Sequence, residues 1–196
     1  MEQTRKNDKL ANELSVLAKE VKEALKKYAI VSHPQYDKVY ALVVNGFASY
    51  NLMDDANVPG IISRPYLDSV NNIDLVYIAT RKMLLSFKNP FFYRGKVAKG
   101  VGGPHGCKDM IWPPGITIQG LTSNNNATIK KCISILKTTH ADKGFMHESF
   151  HKDVSKKFTC ALFSWANTLF GKFLWKIYNE KPGLLNVLRT MKMNTF

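Results

Sequence analysis

Apolar residues recur at helical spacing from the start of the chain. Leu10, Leu14, Leu17, Val21 and Leu25 fall three and four apart with lysines and glutamates between them, which predicts an amphipathic helix over 8–28. His33-Pro34 ends that region. Residues 39–44 read as a short strand leading into a turn at Asn45-Gly46. A second helix is predicted over 72–87, with Ile73, Val76, Tyr77, Met83 and Leu84 on its apolar face, and Asn89-Pro90 stops it. A third spans 116–121. A fourth spans 127–137, with Ile129, Cys132, Ile133 and Leu136 inward. The last, roughly 159–178, carries Phe163, Trp165, Phe170, Phe173, Trp175 and Tyr178, which read as core, and Pro182-Gly183 breaks it. The stretch 143–153 reads as a loop. The whole predicts a mainly α chain, a single domain over 1–196, with its conspicuous polar residues in the connections between helices.

Composition adds little to this picture. The 196 residues are 45% hydrophobic and 11% aromatic, ordinary for a folded domain with its own core. The net charge is +13, but the lysines are scattered, paired only at 26–27, 130–131 and 156–157. That pattern reads as a solvated surface, and no nucleic-acid module is recognisable. Cys107, Cys132 and Cys160 cannot all pair and read as core thiols. The start is charged from Glu2 to Lys9, so no signal peptide is expected, and no run of about 18 apolar residues predicts a membrane span. Nothing points to a compartment.

Three stretches carry candidate chemistry. His147-Glu148-Ser149-Phe150-His151 fits H-E-x-x-H, which on a helix puts two imidazoles on one face, as in a zinc hydrolase. A third ligand is not evident, and Val154 stands where the longer metzincin pattern needs glycine. Asp54, Asp55 and Asn57 form a polar cluster between apolar residues. Carboxylates there suit sugar hydroxyls; the plainer reading is Asp55 or Asn57 as N-cap of a helix through Ile61 and Ile62. The glycine-rich run 100–106 lacks the lysine of a phosphate loop, but allows backbone and His105 to come close to a ligand. Trp112 reads as a sugar platform or as core, and Arg81 as a ligand or as a surface ion pair.

Several ordered words across residues 10–180 resemble glycoside hydrolase family 125, the exo-α-1,6-mannosidases. They are LMDDANVP (52–59), TRK (80–82), NPFF (89–92), GGPH (102–105), IWP (111–113), LTS (121–123), GFMHESF (144–150) and WANTLFG (165–171). The resemblance implies an (α/α)6 six-hairpin barrel, of which this chain would be the C-terminal, incomplete part. It also implies an inverting mechanism that uses neither metal nor other cofactor. In that mechanism a general acid and a general base stand roughly 6.5–9.5 Å apart on either side of the scissile bond. The base of the family lies in the GFMHES word, at Glu148 here. The acid is placed in an Arg-Pro-Ser-Asp-Asp word, which these residues do not contain. Asp54, Asp55, Asn57, His105, Trp112 and His147 are the expected substrate contacts, and the expected ligand is an α-linked mannose oligosaccharide.

The departures lie near the same words. Leu42-Val43-Val44-Asn45-Gly46-Phe47-Ala48 stands where the family reads Tyr-Glu-Val-Asp-Gly-Phe-Gly, so two carboxylates are absent. Cys107 replaces a glycine, Pro113-Pro114-Gly115 replaces Pro-Met-Ser, and Thr159-Cys160-Ala161-Leu162 replaces Thr-Arg-x-Trp. Two readings follow: a mannosidase domain lacking its acid, or a non-catalytic relative that binds glycan weakly. The zinc hydrolase ranks below both. Expectations for the fold are that the named residues converge on one face, and that an incomplete barrel leaves apolar surface for another chain to cover.

Overall fold

A computed structural model describes residues 7–185. Five α-helices carry most of the regular structure: α1 (Asp8–Tyr28), α2 (Leu75–Leu84), α3 (Pro113–Leu121), α4 (Asn126–Thr138) and α5 (Ser164–Glu180). Between them lie nine short strands, more than the helix–loop pattern predicts. These are β1 (Ile30–His33), β2 (Asp37–Tyr40), β3 (Val43–Val44), β4 (Tyr50–Asn51), β5 (Phe92–Arg94), β6 (Lys99–Val101), β7 (Met110–Ile111), β8 (Ser149–His151) and β9 (Val154–Thr159). They form three two-stranded hairpins, β1–β2, β3–β4 and β5–β6, and one antiparallel sheet in the order β7–β8–β9.

The architecture turns on α3. Eight of its nine residues are buried, so it reads as apolar all round, the signature of a central helix. Pro113 and Pro114 open it, where the missing amide hydrogens cost nothing. Helix α4 packs on one side through Ile129, Cys132, Ile133 and Leu136, all buried as predicted. Helix α5 packs on another, and there the chain needs glycine. A Cβ on Gly120 would run into the ring of Phe173, itself fully buried. Helix α2 is shorter than predicted. Asp74 caps it, its carboxylate accepting from the Tyr77 amide at 2.7 Å. Ile73 therefore falls outside the helix and is exposed, while Tyr77, Met83 and Leu84 are buried.

Three further expectations need correction. The stretch 143–153 is no simple loop: its second half forms β8 and the turn into β9, whose lysines 156 and 157 face solvent at a sheet edge. The aromatic set of the last helix is not core as a whole. That helix begins at Ser164, so Phe163 precedes it; Phe173 is buried, and Trp165, Trp175 and Tyr178 are exposed, the last two stacked on each other. Of the cysteines only Cys132 is a core thiol, pushed up to about 12 by burial. Helix α1 has the predicted bounds, but none of its residues is buried. Leu10, Leu14, Leu17, Val21 and Leu25 remain 40 to 56% exposed.

The close approach at Gly120 sets a test. In a helix, alanine is favoured over glycine by about 1 kcal/mol. Gly120→Ala should nevertheless destabilise the fold by about 1–3 kcal/mol, because the methyl group overpacks against Phe173. Denaturant melts of the variant check it, and Phe173→Leu in the same background should restore part of the loss.

Candidate functional site

Asp54 is the lowest residue of the site. It is fully buried, and its two carboxylate oxygens accept from the backbone amides of Ile61 (3.0 Å) and Ile62 (2.8 Å). The predicted cap over this segment exists, therefore, but Asp54 makes it rather than Asp55 or Asn57, and it closes a run of turns rather than a helix. Asn89 fastens the same loop, donating from Nδ2 to the carbonyls of Asp54 (2.9 Å) and Leu84 (3.2 Å). Burial pushes the Asp54 carboxyl up to about 7, against the pull of the two amides.

With Asp54 turned inward, Asp55 stands half-buried above it. Its oxygens accept from Asn57, one from the backbone amide (3.0 Å) and one from Nδ2 (2.7 Å). The Ala56 amide donates to the Gly102 carbonyl at 2.9 Å, joining this loop to the glycine-rich run. Two further glycines allow the approach. A Cβ on Gly103 would lie 3.3 Å from Cβ of Asp55, and one on Gly115 would lie 2.9 Å from Cβ of Ala56. His105 is exposed at the tip of the glycine-rich run. Trp112 is buried at the start of α3, with Gly106 against its indole nitrogen. That Nε1–H is a buried donor with no partner. Asp55, the glycine-rich run and Trp112 are thus brought together.

Glu148 is held by the sheet. Ile111 of β7 pairs with Phe150 of β8, and Glu148 is the residue just before β8 begins. The Glu148 amide donates to the carbonyls of both Thr159 and Cys160, at 3.2 Å each. Cys160 sits at a positive φ of 37° to make this possible. The Glu148 side chain is half-buried, and none of the described residues hydrogen-bonds its carboxylate. Helix α5 holds the preceding residues: Asn167 accepts from the Met146 amide through Oδ1 and donates through Nδ2 to the Met146 carbonyl, both at 2.9 Å.

His147 is buried with its ring stacked on Phe158, centroids 3.8 Å apart and planes within 5°. Its Nδ1 lies 3.0 Å from the Ala161 carbonyl, which only a protonated nitrogen can satisfy. In the neutral ring that tautomer leaves Nε2 as an acceptor, buried and without a partner among the described residues. The H-E-x-x-H run enters a strand instead of lying on a helix, so one helical face does not carry both imidazoles. His151 is turned to its own loop, Nδ1 accepting from the Asp153 amide at 3.2 Å. No group of three metal-ligating side chains occurs among the described residues. Arg81 makes no ion pair there either: it ties α2 to the end of α3, donating to Thr122 Oγ1 (2.6 Å) and the Gln119 carbonyl (2.7 Å). A cavity of about 840 Å³ lies elsewhere, beneath α1, and is lined by none of the residues above.

This arrangement of loops can be set beside known proteins. The model of the metal-independent alpha-mannosidases, glycoside hydrolase family 125, matches residues 1–175. The chain belongs to this family. The meiotically up-regulated gene 157 protein of Schizosaccharomyces pombe is 42% identical over 177 residues, 90% of this chain. A Streptococcus pneumoniae metal-independent alpha-mannosidase, solved as a non-productive complex with alpha-1,6-mannobiose, superposes with a TM-score of 0.83 at 34% identity over 94% of this chain. The chain spans 35% of the length of the first and 41% of the second. Sequence reasoning missed Asn89, Asn167 and Phe158 as supports of the site. The first two lie in NPFF and WANTLFG, where an asparagine beside a turn or helix start was the available signal.

Asp54 gives a pH test with a definite sign. Its carboxyl is raised from an ordinary 3.8 to about 7 on folding. Between those values the folded protein holds a proton that the unfolded chain has released, so stability is present below pH 4 and is lost as pH rises to 7. The loss is about 1.4 kcal/mol per pH unit across that window. The stability of wild type relative to Asp54→Asn should fall from pH 4 to 7 and level off above. A difference that is flat or rising across the window would refute it.

Proposed function

We propose that this chain is the base-bearing part of an α-mannosidase domain that hydrolyses α-linked mannosides with inversion. Glu148 is the general base. It takes a proton from the water that attacks the anomeric carbon, on the face opposite the leaving oxygen. Asp55, Asn57, His105, Trp112 and His147 hold the sugar, with Asp54 supporting them from beneath. Trp112 Nε1–H and His147 Nε2 offer a buried donor and a buried acceptor, a pairing that suits hydroxyl groups. The general acid belongs to a segment outside these residues, and the helices form the later part of an (α/α)6 barrel that the segment completes. One observation carries the reading: within an intact GFMHESF word, the Glu148 backbone is held at two carbonyls while its carboxylate is half-buried and unpaired among the described residues.

A second reading, a glycan-binding relative without turnover, has its own support. The hairpin β3–β4 carries exposed Val43 and Asn45 where the family pattern has carboxylates.

The test is an assay of the purified chain on an activated α-mannoside and on α-1,6-mannobiose, with Glu148→Gln as control. A positioned acid is worth about 10²–10⁴-fold, so turnover by the chain alone should fall short of a complete family enzyme by that order. Near-normal turnover abolished in Glu148→Gln would place the acid within these 196 residues. A chain completed with the remaining domain that still fails to turn over would favour the binding relative.

A further inference from the structure

We infer that the apolar face of α1, with the cavity beneath it, is the seat of a further polypeptide segment, folded as the part of the family domain that these residues do not supply. This rests on membership of family 125 and not on the role of Glu148.

Among the described residues, nothing covers this face. Five aliphatic side chains align along 21 residues, and none is buried. Beneath them the 840 Å³ cavity has Leu14, Leu17, Val21 and Leu25 as one wall and Tyr40 and Arg64 as the other. Arg64 lies over the Tyr40 ring at 4.1 Å, so that wall is already ordered. A monomeric domain seldom leaves a contiguous apolar surface of this kind open to water.

Family membership and coverage bear on what covers it. The family model takes in residue 1 onward, so α1 is a helix of the family domain and not an appendage. The superposition on the bacterial mannosidase leaves 6% of the 196 residues unmatched, about 12, fewer than the 21 of α1; part of α1 therefore has a counterpart there. In that protein, as in the fission-yeast relative, the matched region is less than half of the chain. The occupant is thus an amphipathic segment of the same domain, its apolar side on the leucine stripe. Lys22 and Lys26 on the cavity rim suit carboxylates at its edge.

Co-expression tests this. The full chain, and a Leu14→Glu/Leu17→Glu/Val21→Glu variant, are each produced with the tagged portion of the fission-yeast relative that this chain does not match. Light scattering after size exclusion reads the masses. A one-to-one complex with wild type, lost in the variant, is the expected result, with the melting temperature of the chain alone unchanged by the substitutions. Three results would overturn the inference: wild type that self-associates through this face, wild type that binds nothing, or a variant that melts lower on its own. If the added portion is insoluble with both, the two are joined as one polypeptide. The substitutions should then lower the melting temperature of the fusion by about 5 °C or more, and an unchanged value would overturn the inference. A complex that forms but does not turn over mannoside counts against the proposed function and leaves this interface standing.

Discussion

A carboxylate buried against two backbone amides holds one whole wall of the site. Asp54 gives up solvation to close the turns at Ile61 and Ile62, and its neighbours follow from that choice. Gly60 must lack a side chain, since a Cβ there would lie 2.8 Å from the Asp54 oxygen. Asp55 is forced to the other side of the backbone, because successive residues of an extended stretch point opposite ways. Ala56 is then free to bond Gly102 and to press against Gly115. A buried carboxyl group with both oxygens occupied is a support; the half-buried one beside it is available to a ligand.

The opposite wall is built by different means. Asn167 uses every polar atom of its amide on Met146 and Phe163, so the first turn of α5 and the loop before β8 move as one. Ser149 and Thr159 add a hydroxyl pair at 2.6 Å across β8 and β9. The His147 ring is clamped between the Ala161 carbonyl and the face of Phe158. Helices supply the frame, while strand ends and turns aim the side chains. That division explains why a mainly helical chain keeps the polar residues of the site in the turns and connections beside its short strands.

Much of this was legible in the order of residues. The inward face of α4 follows from spacing alone, because Ile129, Cys132, Ile133 and Leu136 repeat at three and four. The bounds of α1 were equally plain, and its burial was not: periodicity shows that a face is apolar, not that something lies against it. The strand β9 escaped notice because an edge strand with Lys156 and Lys157 lacks the alternation of a half-buried one, and β8 because three residues are too few to show a period. The division of labour between Asp54 and Asp55 was also hidden. Two adjacent carboxylates look alike in sequence, and only the closing of the turn decides which one is buried. The aromatic residues of α5 misled for a related reason, since Trp165, Trp175 and Tyr178 share a helix with Phe173 but not its face.

Helix α1 has a consequence for how the domain reaches its final state. A helix in a folded protein usually owes most of its stability to the surface it buries. Here none of its residues is buried, and its described supports include an Asn7 cap, hydrogen bonds within the helix, and the short junction to β1. An isolated helix of this length is only marginally stable in water. The order of α1 is thus coupled to whatever comes to lie on it, so that docking on its apolar face and fixing the helix become a single cooperative event.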